Sequence, residues 1–273
     1  MRWVAIILVA IVGFAFGQLD SDKKVELKTS TISTGERLDY RMYLWGMTVA
    51  KGTTTVDKEY HLKNNSNCYK VDAFMQTLGM VKWISKVDDN WGAYVDTSEL
   101  VTHESYRRLS EGTYRLHELI FYDHKKNEAS VGNADKQTGK FDYNNFKKYP
   151  TPAKVRDIVG GFMYMRIIDF SKLKVKDTLT VGGFFEDKSY SLKIVYEGKE
   201  TIRVSGVGKV PCHKLVPIMP DNQMFRGENS ITVWLSDDGN QVPIKVDAKM
   251  FIGHAGTEIT SFRGLKNQFR IVP

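Results

Sequence analysis

From Gly35 onward, hydrophobic and polar side chains alternate. Leu38, Tyr40 and Met42 share one parity and Arg37, Asp39 and Arg41 the other, the period-two signature of a half-buried strand. From Tyr43 to Ala50 both parities turn apolar, which predicts burial on both faces. Thr53 to Tyr60, Cys68 to Leu78, Val81 to Val87 and Trp91 to Val95 read as further strands, separated by the turn clusters Asn64-Asn65-Ser66-Asn67 and Asp88-Asp89-Asn90. His103 to Leu109 and Tyr114 to Tyr122, joined by Ser110-Glu111-Gly112-Thr113, predict a hairpin. Asn127 to Lys148 is polar and turn-rich, a loop or a weak hairpin. Thr178 to Phe185, Lys188 to Glu197, Thr201 to Val207 and His213 to Ile218 continue the series. Ile231 to Met250 predicts a hairpin turning at Asp238-Gly239, and Thr257 to Arg263 a closing strand. Roughly a dozen short strands at about 8–12-residue spacing imply a β-sandwich, barrel or rolled sheet.

One segment breaks the alternation. Val155, Ile158, Val159, Phe162, Met163 and Phe170 fall on one helical stripe, and Thr151-Pro152 can cap and open a helix. The pattern predicts a helix over 153–169 lying against the sheet. Gly160-Gly161 costs such a helix about 1 kcal/mol per glycine, so packing must support it. Arg166 lies on the apolar stripe, where a guanidinium must snorkel, find a carboxylate or carbonyl, or face a cavity toward an anionic ligand group.

The N-terminus adds a compartment. Arg2 precedes an uncharged apolar run from Trp3 to Phe16, and Ala15-Phe16-Gly17 offers small residues before Gln18. This is the pattern of a secretory signal peptide, shorter than the roughly 20 residues of a membrane span. The organisation expected is a signal peptide over 1–17, a flexible leader over 18–34 and a single β-rich domain over 35–273. Export to the periplasm, as a soluble protein after cleavage, is the expectation.

The formal charge of +7 comes from scattered basic residues. That balance argues against nucleic acid, which needs a denser basic tract. It leaves room for peripheral contact with a membrane surface or an anionic glycan. Cys68 and Cys212 are the only cysteines. Paired, they would close a long loop worth about 4–5 kcal/mol; the alternative is two buried thiols.

Candidate chemistry is sparse. The six histidines form no metal-ligand spacing and no G-x-S-x-G elbow occurs. No metal, cofactor or catalytic residue is therefore assigned. Asp237-Asp238 sits at a hairpin turn, where Asp serves the backbone, and Glu36 has no evident acid–base partner. Met42, Met47, Phe74, Met75, Met80, Phe162, Met163 and Met165 crowd the sheet and helix; such side chains fill cores or adapt to lipid-like ligands.

Three strings in order are more specific than any one alone. Gly35-Glu36-Arg37-Leu38-Asp39-Tyr40, Asp157-Ile158-Val159-Gly160-Gly161-Phe162-Met163-Tyr164-Met165-Arg166 and Trp234-Leu235-Ser236-Asp237-Asp238-Gly239-Asn240-Gln241-Val242-Pro243-Ile244 together resemble the exported bacterial family called domain of unknown function 3108, in a Bacteroidetes-like variant. The resemblance implies a mainly β fold: a single large antiparallel sheet rolled into an open barrel or spiral, with one sizeable helix packed against it. By analogy with periplasmic lipoprotein carriers, its hollow side would hold an acyl chain or another apolar ligand. Fold analogy is a weak warrant for function, and the family supplies no catalytic residues. The matched positions Gly35, Glu36, Tyr40, Asp157, Trp234, Asp237, Asp238 and Pro243 are expected to define the fold. Phe162, Met163, Tyr164 and Arg166 are the candidates to line a ligand cavity. The functional expectation is a non-enzymatic envelope protein that binds an apolar or amphiphilic, lipid-like ligand. The alternatives are a structural or protein-interaction module of the envelope, and a hydrolase or glycan-processing enzyme.

Overall fold

The alternating segments pair into one antiparallel sheet. A computed structural model describes residues 26–28, 31–218, 230–250 and 253–273; the expected signal peptide and its cleavage site lie outside the described residues. The first half of the chain gives β1 (Arg37–Leu44), β2 (Met47–Lys63), β3 (Ser66–Thr77), a short helix α1 (Val81–Ile84), β4 (Asp88–Asp96), β5 (Thr102–Glu111), β6 (Tyr114–Asp123), β7 (Glu128–Asn133) and β8 (Lys147–Pro150). Helix α2 (Ile158–Met165) follows. The second half gives β9 (Thr178–Phe185), β10 (Lys188–Val204), β11 (Gly208–Pro217), β12 (Ile231–Ser236), β13 (Pro243–Met250) and β14 (Gly253–Arg263). The 14-stranded order is β8-β7-β6-β5-β4-β3-β2-β1-β14-β13-β12-β11-β10-β9, two meanders joined where β1 pairs with β14.

The sheet curls until its edges meet without closing a ladder. β8 and β9 are the two ends of the strand order. Tyr149 Oη donates to Asp187 Oδ2 at 2.9 Å, Ser189 Oγ donates to the Pro150 carbonyl at 2.6 Å, and the Tyr149 and Phe184 rings lie 5.9 Å apart. Residues 151–157 run between the edges as a strap that turns at Ala153-Lys154, where Lys154 has φ +54°. Arg156 N–H donates to the Gly182 carbonyl at 3.2 Å, and Phe184 N–H donates to the Arg156 carbonyl at 2.9 Å. The strap therefore covers the β9 edge, which would otherwise offer unpaired backbone groups to another chain. The buried Arg156 side chain clasps the β4–β5 loop: its guanidinium donates to the carbonyls of Leu100 (2.8 Å), Glu99 (2.8 Å) and Lys154 (2.9 Å). It also lies 3.8 Å from the Tyr164 ring centroid, a cation–π contact. Burial lowers its pKa to about 10.

Several expectations are corrected here. The helix spans eight residues rather than 153–169, because Arg156 finds β-partners on β9 and Asp157 then caps α2. Asp157 accepts from Gly160 N–H at 2.9 Å and Val159 N–H at 3.2 Å, the N-cap pattern. The strand expected over 81–87 is mostly helix α1: Val81 and Val87 pack inward at its two ends, while Trp83 and Ile84 are exposed. The two strands expected over 188–207 are one, β10, bulged between Tyr196 and Lys199. Residues 127–148 do form a weak hairpin, β7–β8. The leader is not wholly free: Lys28 N–H donates to the Ile167 carbonyl at 2.6 Å, and Thr31 and Ile32 are buried. Cys68 and Cys212 are both free, buried thiols, on strands six places apart in the sheet order, so the alternative to a disulfide is realised.

Gly160 is a glycine that the helix–sheet contact requires. A Cβ there would sit 2.3 Å from Thr102 Oγ1, the hydroxyl that donates to Asp157 Oδ1 at 2.7 Å. At Gly161 a Cβ meets nothing within 4 Å. Gly160→Ala is expected to destabilise the protein by about 1–3 kcal/mol through overpacking and a displaced cap. Gly161→Ala is expected to be neutral or stabilising by up to about 1 kcal/mol through helix propensity. Urea melts of the two variants check this; equal effects would contradict it.

Candidate functional site

Alternation along β1, β2 and β3 puts Leu38, Tyr40 and Met42 beside Gly52 and Thr54, and those beside Val71, Ala73 and Met75. These residues face Ile158, Val159, Phe162 and Met163 of α2. Between helix and sheet lies a cavity of about 160 Å³, closed further by Val246, Thr257 and Trp91. Its walls are almost wholly apolar. A dry cavity of about 150 Å³ accommodates a benzene-sized solute, whereas whole drug-sized ligands occupy roughly 300–1,000 Å³. The space therefore suits one apolar group or part of a chain.

Two charged side chains reach the wall of this cavity, Lys245 of β13 and Arg166 at the end of α2. Arg166 is the buried one. It makes a bidentate pair with Glu36, Nη1 to Oε1 at 2.6 Å and Nη2 to Oε2 at 2.8 Å, with both side chains 1% exposed. Nε and Nη2 each donate to the Asn240 carbonyl at 3.2 Å. Burial works against the charge on Arg166, but Glu36 beside it holds the pKa above the usual guanidinium value. Gln241 completes the junction. Its Nε2 donates to the carbonyls of Arg166 (2.7 Å) and Ile168 (2.9 Å), and its Oε1 accepts from Lys28. The three family-like strings thus meet in space: Glu36 from the first, Arg166 from the second, Asn240 and Gln241 from the third. Glu36 thus neutralises Arg166, whereas Lys245, also in the lining, has its Nζ 5.5 Å from the Trp234 ring centroid and 5.9 Å from that of Tyr43.

The remaining matched positions also serve this junction. Gly35 (φ +78°) turns the chain into β1. Tyr40 Oη donates to the Pro243 carbonyl at 3.0 Å, and burial pushes its pKa up, so it stays a neutral donor. Pro243 opens β13 opposite a bulge between Trp234 and Leu235. Trp234 Nε1 donates to Glu200 Oε2 at 3.2 Å. Asp238 Oδ1 accepts from the N–H groups of Asn240 (2.8 Å) and Gln241 (3.2 Å), organising the 237–242 loop. Of the four expected cavity residues, Phe162, Met163 and Arg166 line it. Tyr164 does not; its ring lies under the Arg156 guanidinium instead.

Sequence reasoning missed one buried polar chain. His213 Nε2 lies 3.0 Å from Asp237 Oδ1, and His213 Nδ1 lies 3.1 Å from Tyr196 Oη. Burial lowers the His213 pKa to about 4. The neutral ring thus donates from Nε2 to Asp237 and accepts at Nδ1 from tyrosine. Phe170 stacks on it at 4.5 Å and both His213 and Tyr196 are buried, so the arrangement anchors β10, β11 and the 237–242 loop. Its partners come from three distant segments, which no local spacing could reveal.

The comparisons with known proteins agree with this architecture. A β-barrel-like protein of a domain of unknown function, DUF1849, from Brucella abortus superposes with a TM-score of 0.52 at 8% identity, over 86% of this chain and 99% of that one. At that identity the likeness shows the fold alone. A Bacteroides fragilis protein assigned as exported, with a YmcC-like fold, gives 0.36 at 9% identity, over 87% of this chain and 99% of that one. A protein from Parabacteroides distasonis assigned as a lipoprotein gives 0.32 at 11% identity, over the same shares of 87% and 99%. Scores that low add nothing to the fold assignment. Among curated proteins no sequence matches. The profile of DUF3108, a family of proteins of unknown function, matches residues 39–260, and the chain belongs to that family.

Proposed function

We propose that this is a non-enzymatic, exported protein of the cell envelope that binds one apolar segment of a lipid-like ligand between α2 and the sheet. The supporting observation is the cavity of about 160 Å³ lined by Met42, Ala73, Met75, Val159, Phe162 and Met163. Flexible thioethers give such a wall an adaptable shape. Several polar groups nearby are already employed in structure: Glu36 with Arg166, Asp157 in the helix cap, Asp238 in the loop cap.

Ala73→Leu is the direct test, because the added carbons grow into the cavity. Native mass spectrometry with added lauric acid is expected to show a one-to-one complex for the wild type and at least a tenfold weaker one for Ala73→Leu. Thermal stability should be kept or raised by the filling. No complex with the wild type, or equal binding by both proteins, would refute the reading.

A further inference from the structure

We propose that the end of the barrel carrying α1 and the β1–β2 turn docks on an anionic lipid surface. Five large apolar side chains stand in solvent there. Trp83 is 92% exposed, Met80 82%, Ile84 70%, Met47 62% and Trp45 57%. Soluble proteins scatter such residues singly; a group at one end marks an interaction site.

The topology places them together. Leu78 N–H donates to the Val49 carbonyl at 2.9 Å, which sets the β3–β4 connection beside the start of β2. Trp45 N–H donates to the His254 carbonyl at 2.9 Å, which sets the β1–β2 turn beside β14. A Cβ on Gly253 would meet the Trp45 indole at 2.2 Å, so the ring lies against that glycine. Val81 packs inward on the cluster of Val49, Ala50, Met75 and Val87, while Met80, Trp83 and Ile84 stand exposed.

Charge and chemistry favour a bilayer over a second copy of the chain. Lys82 and Lys86 are exposed in the same connection, and Lys51 and Lys249 are exposed on the neighbouring strands. Asp88, the exposed acid of this connection, accepts from Gln76 Nε2 at 3.0 Å. Two indoles beside lysines form the amphipathic belt suited to a head-group layer, whereas the lysines would repel each other across a symmetric interface. The surface is also continuous with the cavity. Met42 and Met75 belong both to its lining and to the cluster under α1. A lipid tail leaving a bilayer at this end would meet those two flexible side chains first.

Co-sedimentation tests the proposal. The purified protein is mixed with vesicles of equal phosphatidylglycerol and phosphatidylcholine, and with vesicles of phosphatidylcholine alone. Binding is expected to the anionic vesicles, weaker at high salt, with much less to the neutral ones. Trp83→Ser/Ile84→Ser is expected to lose roughly tenfold or more in partitioning, from the transfer value of the two side chains. Its melting temperature should be unchanged, since both side chains are exposed. Lys82→Glu/Lys86→Glu should lose the preference for anionic lipid. The docking face and the cavity separate cleanly: Ala73→Leu should still bind vesicles, and Trp83→Ser/Ile84→Ser should still take up lauric acid. No sedimentation of the wild type at low salt, equal binding to both vesicle types, or unchanged binding by the apolar double variant would each overturn the proposal. So would a wild-type dimer in light scattering that becomes a monomer in that variant.

Discussion

Glu36→Ala is expected to destabilise the protein by about 3–5 kcal/mol, the cost of leaving a buried guanidinium without its counter-ion. Arg166 would keep the Asn240 carbonyl at 3.2 Å and a weak contact with Met163 Sδ at 4.0 Å, within a site where both members of the pair are 1% exposed. The loss would spread, because this pair joins the start of β1, the end of α2 and the 237–242 loop. With a typical stability of about 5–15 kcal/mol, such a change takes a large part of the total. The double variant Glu36→Leu/Arg166→Met removes both charges and keeps much of the volume, so it should recover most of the loss. Urea denaturation of the two variants is the measurement. A double variant no more stable than Glu36→Ala would mean that packing, and not the lone charge, governs the site.

Asp89→Asn is expected to stabilise the protein at pH 8 and to change little at pH 4. Asp89 is buried, its Oδ1 accepts from Ser110 N–H at 2.9 Å, and its Oδ2 has no partner. Burial, with Glu111 and Asp88 nearby, raises its pKa from 3.8 to about 7. Below pH 4 the carboxyl is protonated in both folded and unfolded chains and carries no penalty. Between pH 4 and 7 the unfolded chain releases its proton while the folded one keeps it, so stability falls as pH rises. The full effect is about 4 kcal/mol, at 1.36 kcal/mol per pKa unit. An Asn leaves its own amide poorly satisfied, so the net gain at pH 8 should be about 1–3 kcal/mol.

His213 tilts the other way. Its folded pKa of about 4 lies below the ordinary 6.5, so the unfolded chain takes the proton first as pH falls. Stability therefore rises by about 3 kcal/mol from pH 4 to 6.5. The two slopes oppose each other in the wild type. Removing Asp89 should uncover the rising one in urea melts at pH 4.5, 6 and 8. A gain from Asp89→Asn that is the same at every pH would contradict this account.

Much of the strand pattern was legible because period-two alternation is a local property. Leu38, Tyr40 and Met42 do share a face, and that face lines the cavity. The late hairpin was legible from Asp238-Gly239, although its turn is a longer loop capped by Asp238. The helix was overextended because 153–157 has helical periodicity but finds better backbone partners on β9. The strand expected at 81–87 failed for the opposite reason: a short apolar run reads alike as strand or helix, and its largest apolar side chains, Trp83 and Ile84, face solvent.

The sequence alone determined the strand-rich class, the place of the helix that packs on the sheet and the three strings that mark the family, because each depends on near neighbours in the chain. Tertiary structure alone decided what the strings do. Glu36 and Arg166 are 130 positions apart, and Arg166 and Asn240 are 74 apart. No periodicity spans such distances; only the rolling of the sheet around α2 brings them together. The same closure decided that the Met-rich face encloses a cavity of about 160 Å³. Its volume is set by how closely a short helix can approach a curved sheet, a quantity fixed by packing and by no local pattern.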